Sequence, residues 1–383
     1  MLLIETSTRL LKAVREVDTV SRFGGDEFIL LLEDLSLPRE GIRTVRRVRE
    51  LLHESFRLEG HDVPISASFG VVLSPTGSNN PEEILQNANL AMHRAKDAGR
   101  DRIKVFNANM LNQAQGLMHL EHDLRSAVTA NEFSLVYQPI YSLSRNNLTG
   151  FEALIRWDHP TRGRIEPGEF IPVAEGTGII NELGRFVLAR ACRAFVEWAA
   201  RFPVTSKLTM AVNVSSRQFA RHDLVEMVEA VLAETGMPPR SLKLEITETS
   251  IMEHGASVVS KLNRLKELGI LVSIDDFGTG YSSLAYLQKF PLDNLKIDLS
   301  FVKMLDVAPE NVEIVRAIIT LAHTLGLEVV AEGVEKPEHL EVLCSLDCEY
   351  GQGYLFSRPL AEEQVLELLA SPPQETRYCE VLL

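Results

Sequence analysis

The sequence predicts an α/β protein in two parts, a small α+β unit followed by a (β/α)8 barrel. The chain has 383 residues, which is enough for two or three ordinary domains. Hydrophobic residues make up 45% and charged residues 24%, the balance of a globular protein with a sizeable core. From about residue 132 onward, eight strand patterns alternate with helix patterns, which is typical of a barrel of parallel strands.

The first unit is expected to span residues 1–106. Residues 2–17 have helical periodicity, and a β-hairpin with a Gly24-Gly25 turn follows. The further elements predicted for this unit are a helix at 38–56, a strand at 65–73, a helix at 81–98 and a strand at 103–106. Residues 107–131 are expected to form a polar helical connector.

The barrel is expected to span residues 132–371, with a tail at 372–383. The predicted strands are 133–143, 148–157, 208–215, 242–248, 271–276, 294–299, 328–333 and 350–355. The predicted helices are 178–202, 217–236, 254–268, 281–289, 310–326, 336–347 and 361–370. An open doubly wound sheet is the alternative, but no glycine-rich phosphate-binding fingerprint follows any of these strands.

Charge and hydropathy exclude several classes of protein. The net charge of −14 disfavours a nucleic acid polymer as partner, since its backbone is bound by clustered Lys and Arg. The longest wholly apolar run, at 28–32, is far shorter than the ~18 residues of a membrane span. The first residues lack the basic and long apolar stretches of a signal peptide. We therefore expect a cytoplasmic chain without a membrane segment.

Polar side chains stand at or near the carboxyl ends of the predicted barrel strands. In a barrel these ends meet at one face, where active sites lie. Carboxylates can share such a face only if cations or raised pKa values offset their repulsion. The candidate residues are Glu152, Arg156, Asn213, Glu245, Glu248, Asp275, Asp276, Lys296, Asp298, Glu332 and Gln352.

These residue types favour a particular chemistry. Oxygen ligands with one amide, and no Cys or His, are typical of Mg²⁺ or Mn²⁺ sites. The adjacent Asp275 and Asp276 suit a two-metal site, which assists the hydrolysis of phosphodiesters. A sugar isomerase or aldolase is the competing hypothesis, with Lys296 as a Schiff-base amine. The surrounding carboxylates disfavour it, because they favour a protonated lysine.

Residues 117–371 closely resemble the EAL family of cyclic-di-GMP phosphodiesterases. The matching motifs, in chain order, are residues 137–140, 151–157, 167–175, 212–215, 244–248, 275–284, 295–298, 331–335 and 351–356. The resemblance implies a TIM-like barrel with one antiparallel strand. It also implies metal-dependent hydrolysis of cyclic-di-GMP to linear pGpG, which lowers the level of this second messenger in bacterial signalling. A non-catalytic cyclic-di-GMP receptor is the alternative function.

The resemblance further implies a role for each candidate residue. One metal ion would be held by Glu152, Asn213, Glu245 and Asp275, and a second by Asp275, Asp276 and Glu332. The catalytic group would be Lys296 with Glu152, Asp298 and Glu248. The substrate contacts would be Gln138, Arg156 and Gln352. Glu248 would also secure the loop 276–284, which the resemblance links to a homodimer formed through this domain.

Residues 22–28 and 95–100 of the first unit resemble the GGDEF family of diguanylate cyclases. Gly24 and Gly25 would let backbone N–H groups approach phosphates, and Asp26 and Glu27 could act on a metal or hydroxyl. The opening strands of that family, with their metal-ligating Asp, have no counterpart after Met1, so this is a truncated GGDEF domain.

We therefore expect no diguanylate cyclase activity from the first unit. A packing or dimerisation role is the favoured reading of residues 1–106. The alternative is a remnant cyclic-di-GMP site at Arg15 and Asp18, which stand at the spacing of the family's product-inhibition site.

Overall fold

The computed structural model describes residues 1–58, 60–73, 80–145, 147–252, 256–280 and 287–371. The chain divides into two compact units, with the boundary between His119 and Leu120. Each unit is considered by itself. In the described part of the chain, no helix is both long and apolar enough to cross a membrane.

The first unit contains three helices and three pairs of strands among its described residues. Its helices are Leu2–Ala13, Pro38–His53 and Pro81–Asp97. Its strands are β1 (Thr19–Gly24), β2 (Glu27–Leu31), β3 (Phe56–Leu58), β4 (His61–Val63), β5 (Phe69–Val71) and β6 (Ile103–Val105). β1 pairs with β2 and β3 with β4, both antiparallel, whereas β5 and β6 are parallel.

The core of the first unit is small. Its buried members are Leu10, Ala13, Val48, Leu52 and Phe56. The Arg9 guanidinium lies 3.7 Å from the Phe56 ring centroid and donates hydrogen bonds to the backbone carbonyls of Leu51, in the last turn of the second helix, and of Ser55, just after it. The predicted strand at 65–73 is shorter in the structure, because only β5 pairs with a neighbour there.

The second unit is a closed eight-stranded barrel, as the sequence predicts. Its strands are β7 (Phe133–Ser142), β8 (Leu148–His159), β10 (Thr209–Val214), β11 (Leu242–Thr247), β12 (Leu271–Phe277), β13 (Asn294–Ile297), β14 (Glu328–Ala331) and β15 (Tyr350–Gly351). β8 and β10 through β15 are parallel to one another along the sheet. β7 closes the barrel and is antiparallel to both of its neighbours, β8 and β15. A short β9 (Gly163–Ile165) extends β8 outside the barrel.

Helices surround the barrel and connect its strands. The first of them, Ala108–Ala127, contains the boundary between the two units. The helices of the barrel are Pro167–Thr177, Ile180–Arg201, Ser216–Ala220, Leu224–Thr235, Glu248–Met252, Ala256–Glu267, Leu299–Val302, Pro309–Thr324, Pro337–Ser345 and Glu362–Ala370. Two 3₁₀ helices, Pro203–Lys207 and Pro239–Ser241, precede β10 and β11. One core lies between barrel and helices. A second surrounds Trp157 of β8 and includes Leu120 and Leu124 of the helix Ala108–Ala127.

Several predicted elements differ from the observed ones for local reasons. The predicted helix 217–236 is two helices, because Arg221 is extended and Lys261 donates to its carbonyl oxygen at 2.7 Å. The predicted strand 294–299 ends at Ile297, because the next residue caps the helix Leu299–Val302. The predicted helix 281–289 falls mostly outside the described residues. The helix Pro167–Thr177 was not predicted, since Pro172 interrupts its pattern.

Candidate active site at the carboxyl ends of the barrel strands

Lys296 is the centre of the site. It lies on β13, and its side chain is fully buried inside the barrel. Its Nζ lies 2.6 Å from Glu332 Oε1, 2.7 Å from Glu245 Oε2, 3.3 Å from Asp275 Oδ1 and 3.4 Å from Glu152 Oε2. Five strands or strand ends therefore contribute one ionisable side chain each to one buried cluster.

The carboxylates determine the protonation state of Lys296. Burial alone would lower its pKa, but the four negative charges together raise it well above the ordinary value. The lysine is therefore a cation at neutral pH. Since a Schiff base forms from a neutral amine, this arrangement disfavours the aldolase hypothesis.

The carboxyl groups of the cluster are not equivalent. Burial raises the pKa of Glu332 to about 8, although the Lys296 charge opposes this shift. Burial and the charges of Asp275 and Asp298 raise the pKa of Asp276 to about 6. Burial also acts on Glu152, but Lys296 and hydrogen bonds outweigh it and lower the pKa of Glu152. The cluster thus combines a stable anion with groups that release protons near neutral pH.

A β-bulge explains how two adjacent aspartates reach the same site. Successive side chains of a regular strand point to opposite faces. The register between β12 and β13 shifts between Ile274 and Phe277, and Asp276 has φ +53°. Asp is one of the few non-glycine residues that adopt this conformation readily. As a result, one carboxylate oxygen each from Asp275, Asp276 and Glu332 lies within 4.8 Å of the others.

The donor set fits a hard divalent cation. Asn213 Nδ2 donates to Glu152 Oε1 at 2.6 Å, which leaves the Asn213 carbonyl oxygen available. Glu245 is 1% exposed, and its Oε1 has no hydrogen-bond partner among the described residues. A buried carboxylate oxygen without a partner is costly unless it binds something. Carboxylates and one amide carbonyl are the ligands that Mg²⁺ and Mn²⁺ prefer.

Comparison with known proteins identifies the family. Residues 121–359 match the family model of the EAL domain. The chain belongs to the EAL family. Residues 1–102 match the model of the diguanylate cyclase GGDEF domain.

Two relatives from Pseudomonas aeruginosa match nearly the whole chain. The cyclic di-GMP phosphodiesterase NbdA is 40% identical over 373 residues, which are 96% of this chain and 47% of that protein. The bifunctional diguanylate cyclase/cyclic di-GMP phosphodiesterase MucR is 40% identical over 370 residues, or 97% of this chain and 54% of that protein. This EAL chain therefore spans about half the length of the curated relatives it matches.

Two solved structures are similar to this chain. The cyclic-di-GMP complex of the PaMucR phosphodiesterase has a TM-score of 0.63 and 42% identity, covering 64% of this chain and 99% of that one. The EAL enzyme Bd1971, bound to cAMP and cyclic-di-GMP, has a TM-score of 0.65 and 34% identity, covering 76% of each chain.

A cavity of about 290 Å³ opens beside the EAL carboxylates. Gln138, Gln352, Glu152 and Glu332 contribute to its wall. Gln352 Nε2 donates to Glu152 Oε2 at 2.7 Å and to Gln138 Oε1 at 3.1 Å, and its buried Oε1 has no partner among the described residues. Two of the three predicted substrate-binding residues therefore stand beside the cluster.

Arg156 is the third predicted substrate residue, and the structure does not bring it into the cavity. It lies two positions beyond the cavity residue Leu154 on the same face of β8. Its guanidinium donates to the Ile155 carbonyl oxygen at 2.8 Å.

Glu248 contacts the loop that follows β12. The buried side chain accepts a hydrogen bond from the Gly278 N–H at 2.9 Å. A Cβ on Gly280 would lie 2.9 Å from Glu248 Oε1, so the loop passes very close to this carboxylate. Residues 281–284 of the predicted loop lie outside the described residues. Asp298 accepts from the Ser300 N–H at 2.9 Å and acts as a helix cap beside the cluster.

Sequence reasoning missed residues that the structure places at the site. Leu299, Lys303, Glu335 and Tyr354 line the cavity, and none of them was a predicted site residue. Leu299 begins the helix Leu299–Val302, and the other three lie outside helices and strands. Lys243 is buried inside the barrel two residues before Glu245, and burial lowers its pKa. Strand alternation could have found Lys243, because residues two apart on a strand share a face.

The GGDEF-like hairpin has no comparable cluster among the described residues. Gly24 and Gly25 lie in open space, and Arg22 donates to the Gly25 carbonyl oxygen at 2.8 Å. The Asp18 carboxylate accepts the backbone N–H groups of Arg15 at 2.7 Å and Glu33 at 3.1 Å. Asp18 thus closes the base of the hairpin.

Proposed function

We propose that this chain hydrolyses cyclic-di-GMP to linear pGpG and so lowers the level of this second messenger in bacterial signalling. The observation that carries the proposal is the buried cluster of four carboxylates around Lys296, with a cavity beside it. The proposal is also supported by the 42% sequence identity between this chain and a phosphodiesterase whose structure was solved as a cyclic-di-GMP complex.

Mg²⁺ or Mn²⁺ is the proposed cofactor, bound at two adjacent positions. The first position would use Glu152, Asn213, Glu245 and Asp275, and the second Asp275, Asp276 and Glu332. When bound, such ions polarise phosphoryl oxygens and lower the pKa of a bound water. Glu332 and Asp276 must release their protons to serve as ligands, which their pKa values of about 8 and about 6 permit at neutral pH or slightly above.

Lys296 supplies a fixed positive charge at the reacting phosphate. Its N–H groups can orient the attacking water and stabilise the charge that develops on the phosphoryl oxygens. The water oxygen bonds to phosphorus, the bond to a ribose 3′ oxygen breaks, and the proton lost by the water balances the one gained by that oxygen. Asp298, Glu248 and Glu152 complete the proposed catalytic group by holding the surrounding loop and cluster.

The proposed substrate contacts are Gln138, Gln352 and Arg156. The two glutamines are positioned by their mutual hydrogen bond at the cavity wall. Arg156 would contact the substrate only if its side chain changed rotamer and left the Ile155 carbonyl oxygen. Its guanidinium group is suited to binding a phosphate.

Turnover of cyclic-di-GMP with Mg²⁺ or Mn²⁺, followed by chromatography, tests this function. Glu152→Ala should abolish turnover, because it removes a ligand and the anion nearest Gln352. Asp158→Ala is the matched control on the same strand, since Asp158 pairs with Arg164 outside the cavity and the variant should keep wild-type rates. Binding without turnover by the wild type would instead indicate a non-catalytic receptor.

We also propose that the chain acts in the cytoplasm as a homodimer formed through the EAL domain. The contact of Glu248 with Gly278 gives a physical link between the loop after β12 and the cluster. Sedimentation of the purified chain tests the dimer.

The first unit is proposed to lack diguanylate cyclase activity. Phosphoryl transfer from GTP needs a metal held by more than one carboxylate segment. Among the described residues, Asp275, Asp276 and Glu332 form the single cluster of three such ligands, and it lies in the barrel. Incubation of the Glu152→Ala variant with GTP and Mg²⁺ should yield no cyclic-di-GMP, and its accumulation would contradict this proposal.

A remnant cyclic-di-GMP site at Arg15 and Asp18 is a separate hypothesis. The Arg15 side chain is exposed and available to a phosphate, but both Asp18 oxygens already accept backbone N–H groups. Calorimetry with Arg15→Ala tests it, since a second binding site in the wild type should disappear in the variant.

A further inference from the structure

Two chain segments form the outer wall of the cavity, which we define as Leu299, Lys303, Gly333 and Glu335. The first two residues follow β13 and the other two follow β14. The segments approach closely, because a Cβ on Gly333 would lie 2.8 Å from the Leu299 Cβ. Lys303 Nζ lies 3.1 Å from Glu335 Oε1 across the wall.

His339 contacts both of these segments and does not itself line the cavity. It lies in the helix Pro337–Ser345 and is 1% exposed. Its Nε2 is 3.0 Å from Oδ1 of Asp306, which lies in the stretch after β13, and its Nδ1 accepts the Glu335 backbone N–H at 3.5 Å. Because Nδ1 accepts, Nε2 carries the proton and donates to Asp306. Lys336 Nζ lies 2.5 Å from Asp306 Oδ2 and forms a second contact between the two segments.

The metal-ligating part of the same loop is held by other contacts. The Glu332 backbone N–H donates to the Ile297 carbonyl oxygen at 3.2 Å, and its carboxylate lies 2.6 Å from Lys296. The Val334 N–H donates to the Gln352 carbonyl oxygen at 3.1 Å. Strand-like bonds therefore fix the loop up to Val334, whereas His339 acts on Glu335, beyond them.

We propose that His339 and Asp306 form a clasp that positions the outer wall, and that this wall binds the nucleotide part of the substrate remote from the cleaved phosphodiester. The inference rests on the proposed function for the identity of the substrate. His339 is a positioning residue, since it reaches the cavity only through Glu335 and Asp306. Loss of the clasp should weaken substrate binding and leave the metal ions and the chemical step in place.

The test compares His339→Leu with the wild type. We expect KM for cyclic-di-GMP to rise about tenfold, which corresponds to ~1.4 kcal/mol, with kcat within about twofold. Affinity for cyclic-di-GMP in EDTA-treated protein, measured by calorimetry, should fall by the same factor, and Mg²⁺ affinity should not change. His339→Gln should restore most of the affinity, because its amide can still donate to Asp306.

His323→Leu is the matched control. His323 pairs with Glu349 at 2.9 Å near the start of β14, at the end of the strand away from the cavity. This variant should keep wild-type KM and affinity. If His339→Leu does not fold, Asp306→Ala breaks the clasp while leaving the histidine in place, and the same loss of affinity is expected.

Three outcomes would overturn the clasp: an unchanged KM in His339→Leu, a parallel fall of Mg²⁺ affinity, or no rescue by His339→Gln. Failure of the proposed function gives a different pattern. A wild type that binds cyclic-di-GMP without turnover would refute hydrolysis, while the affinity comparison would still test the clasp.

Discussion

The barrel cluster and the hairpin of the first unit use similar residues in opposite environments. Both combine adjacent acidic residues with glycines in a turn or bulge: Asp275-Asp276 in one and Asp26-Glu27 in the other. The barrel residues are drawn together around a buried ammonium group, whereas Asp26 is exposed and Glu27 is half-buried in the hairpin. Acidic residues become a candidate site when burial and a shared cation constrain them, and a motif alone does not provide that constraint.

Replacement of Lys296 in the barrel should have the largest effect on stability and turnover of all the variants compared between the two regions. Lys296→Met leaves four carboxyl groups, those of buried Glu152, Glu245 and Asp275 and of half-buried Glu332, without their cation, and breaking a buried ion pair costs about 3–5 kcal/mol. Turnover should fall about 10³-fold or more, since fixed charge at the reacting group is lost. Urea unfolding and chromatographic assays measure both effects.

The hairpin counterpart is Glu27→Ala. It should change the free energy of unfolding by less than about 0.5 kcal/mol, because Glu27 is only half-buried and substitutions outside the core have small effects. Equal destabilisation by Lys296→Met and Glu27→Ala would contradict the comparison.

The metal-free protein should lose stability as pH rises from about 5 to about 8.5. Burial holds the pKa of Glu332 at about 8 and that of Asp276 at about 6, above the ordinary values for exposed carboxyls. The folded state therefore binds more protons than the unfolded state in this window, and its stabilisation is lost as the groups ionise. Thermal unfolding with EDTA should show the decrease.

Addition of Mg²⁺ should reverse this pH dependence. Metal ligation favours the ionised carboxyls, so Mg²⁺ affinity should rise over the same pH range and binding should release protons. A metal-free melting temperature that rises steadily with pH would contradict these assignments.

Asp276→Ala and Asp276→Asn separate charge from backbone conformation. Both lose a carboxylate, so both should weaken Mg²⁺ binding, measured by calorimetry. Alanine should in addition destabilise the fold by about 1 kcal/mol relative to asparagine, because it tolerates φ +53° less well. Equal stability of the two variants would show that the bulge is not strained by alanine.

Gly25→Ala in the hairpin should lower the stability of the first unit modestly and leave hydrolysis unchanged. Its φ of +53° predicts a cost of about 1 kcal/mol, while a Cβ there would meet no atom within 4 Å. Hydrolysis of cyclic-di-GMP should remain at the wild-type rate. A marked loss of hydrolysis would mean that the hairpin influences the barrel site.

The sequence predicts the barrel and its cluster because each strand contributes a local signal. Glu245 and Lys296 interrupt apolar runs, and parallel strands bring such interruptions to one face. That one barrel strand is antiparallel to the rest came only from the family resemblance, and the structure shows that this strand is β7.

Other features depend on tertiary contacts that no short pattern encodes. The bulge at Asp276 breaks the two-residue period of its strand, and the interruption at Arg221 depends on Lys261 from a distant helix. His339 is unremarkable in the sequence because its partner, Asp306, lies on another segment. The domain boundaries and the individual catalytic roles remain predictions.

The reversed direction of β7 changes which end of the barrel receives the incoming chain. Phe133 pairs with Trp157 near the carboxyl end of β8, whereas an all-parallel barrel would begin its first strand at the opposite end. The helix Ala108–Ala127 therefore precedes a strand that starts at the end where Glu152 and Lys296 lie, and its Leu120 and Leu124 pack in the core around Trp157. The incoming chain therefore enters the barrel at the end that carries the carboxylate cluster, and it packs there in the core around Trp157.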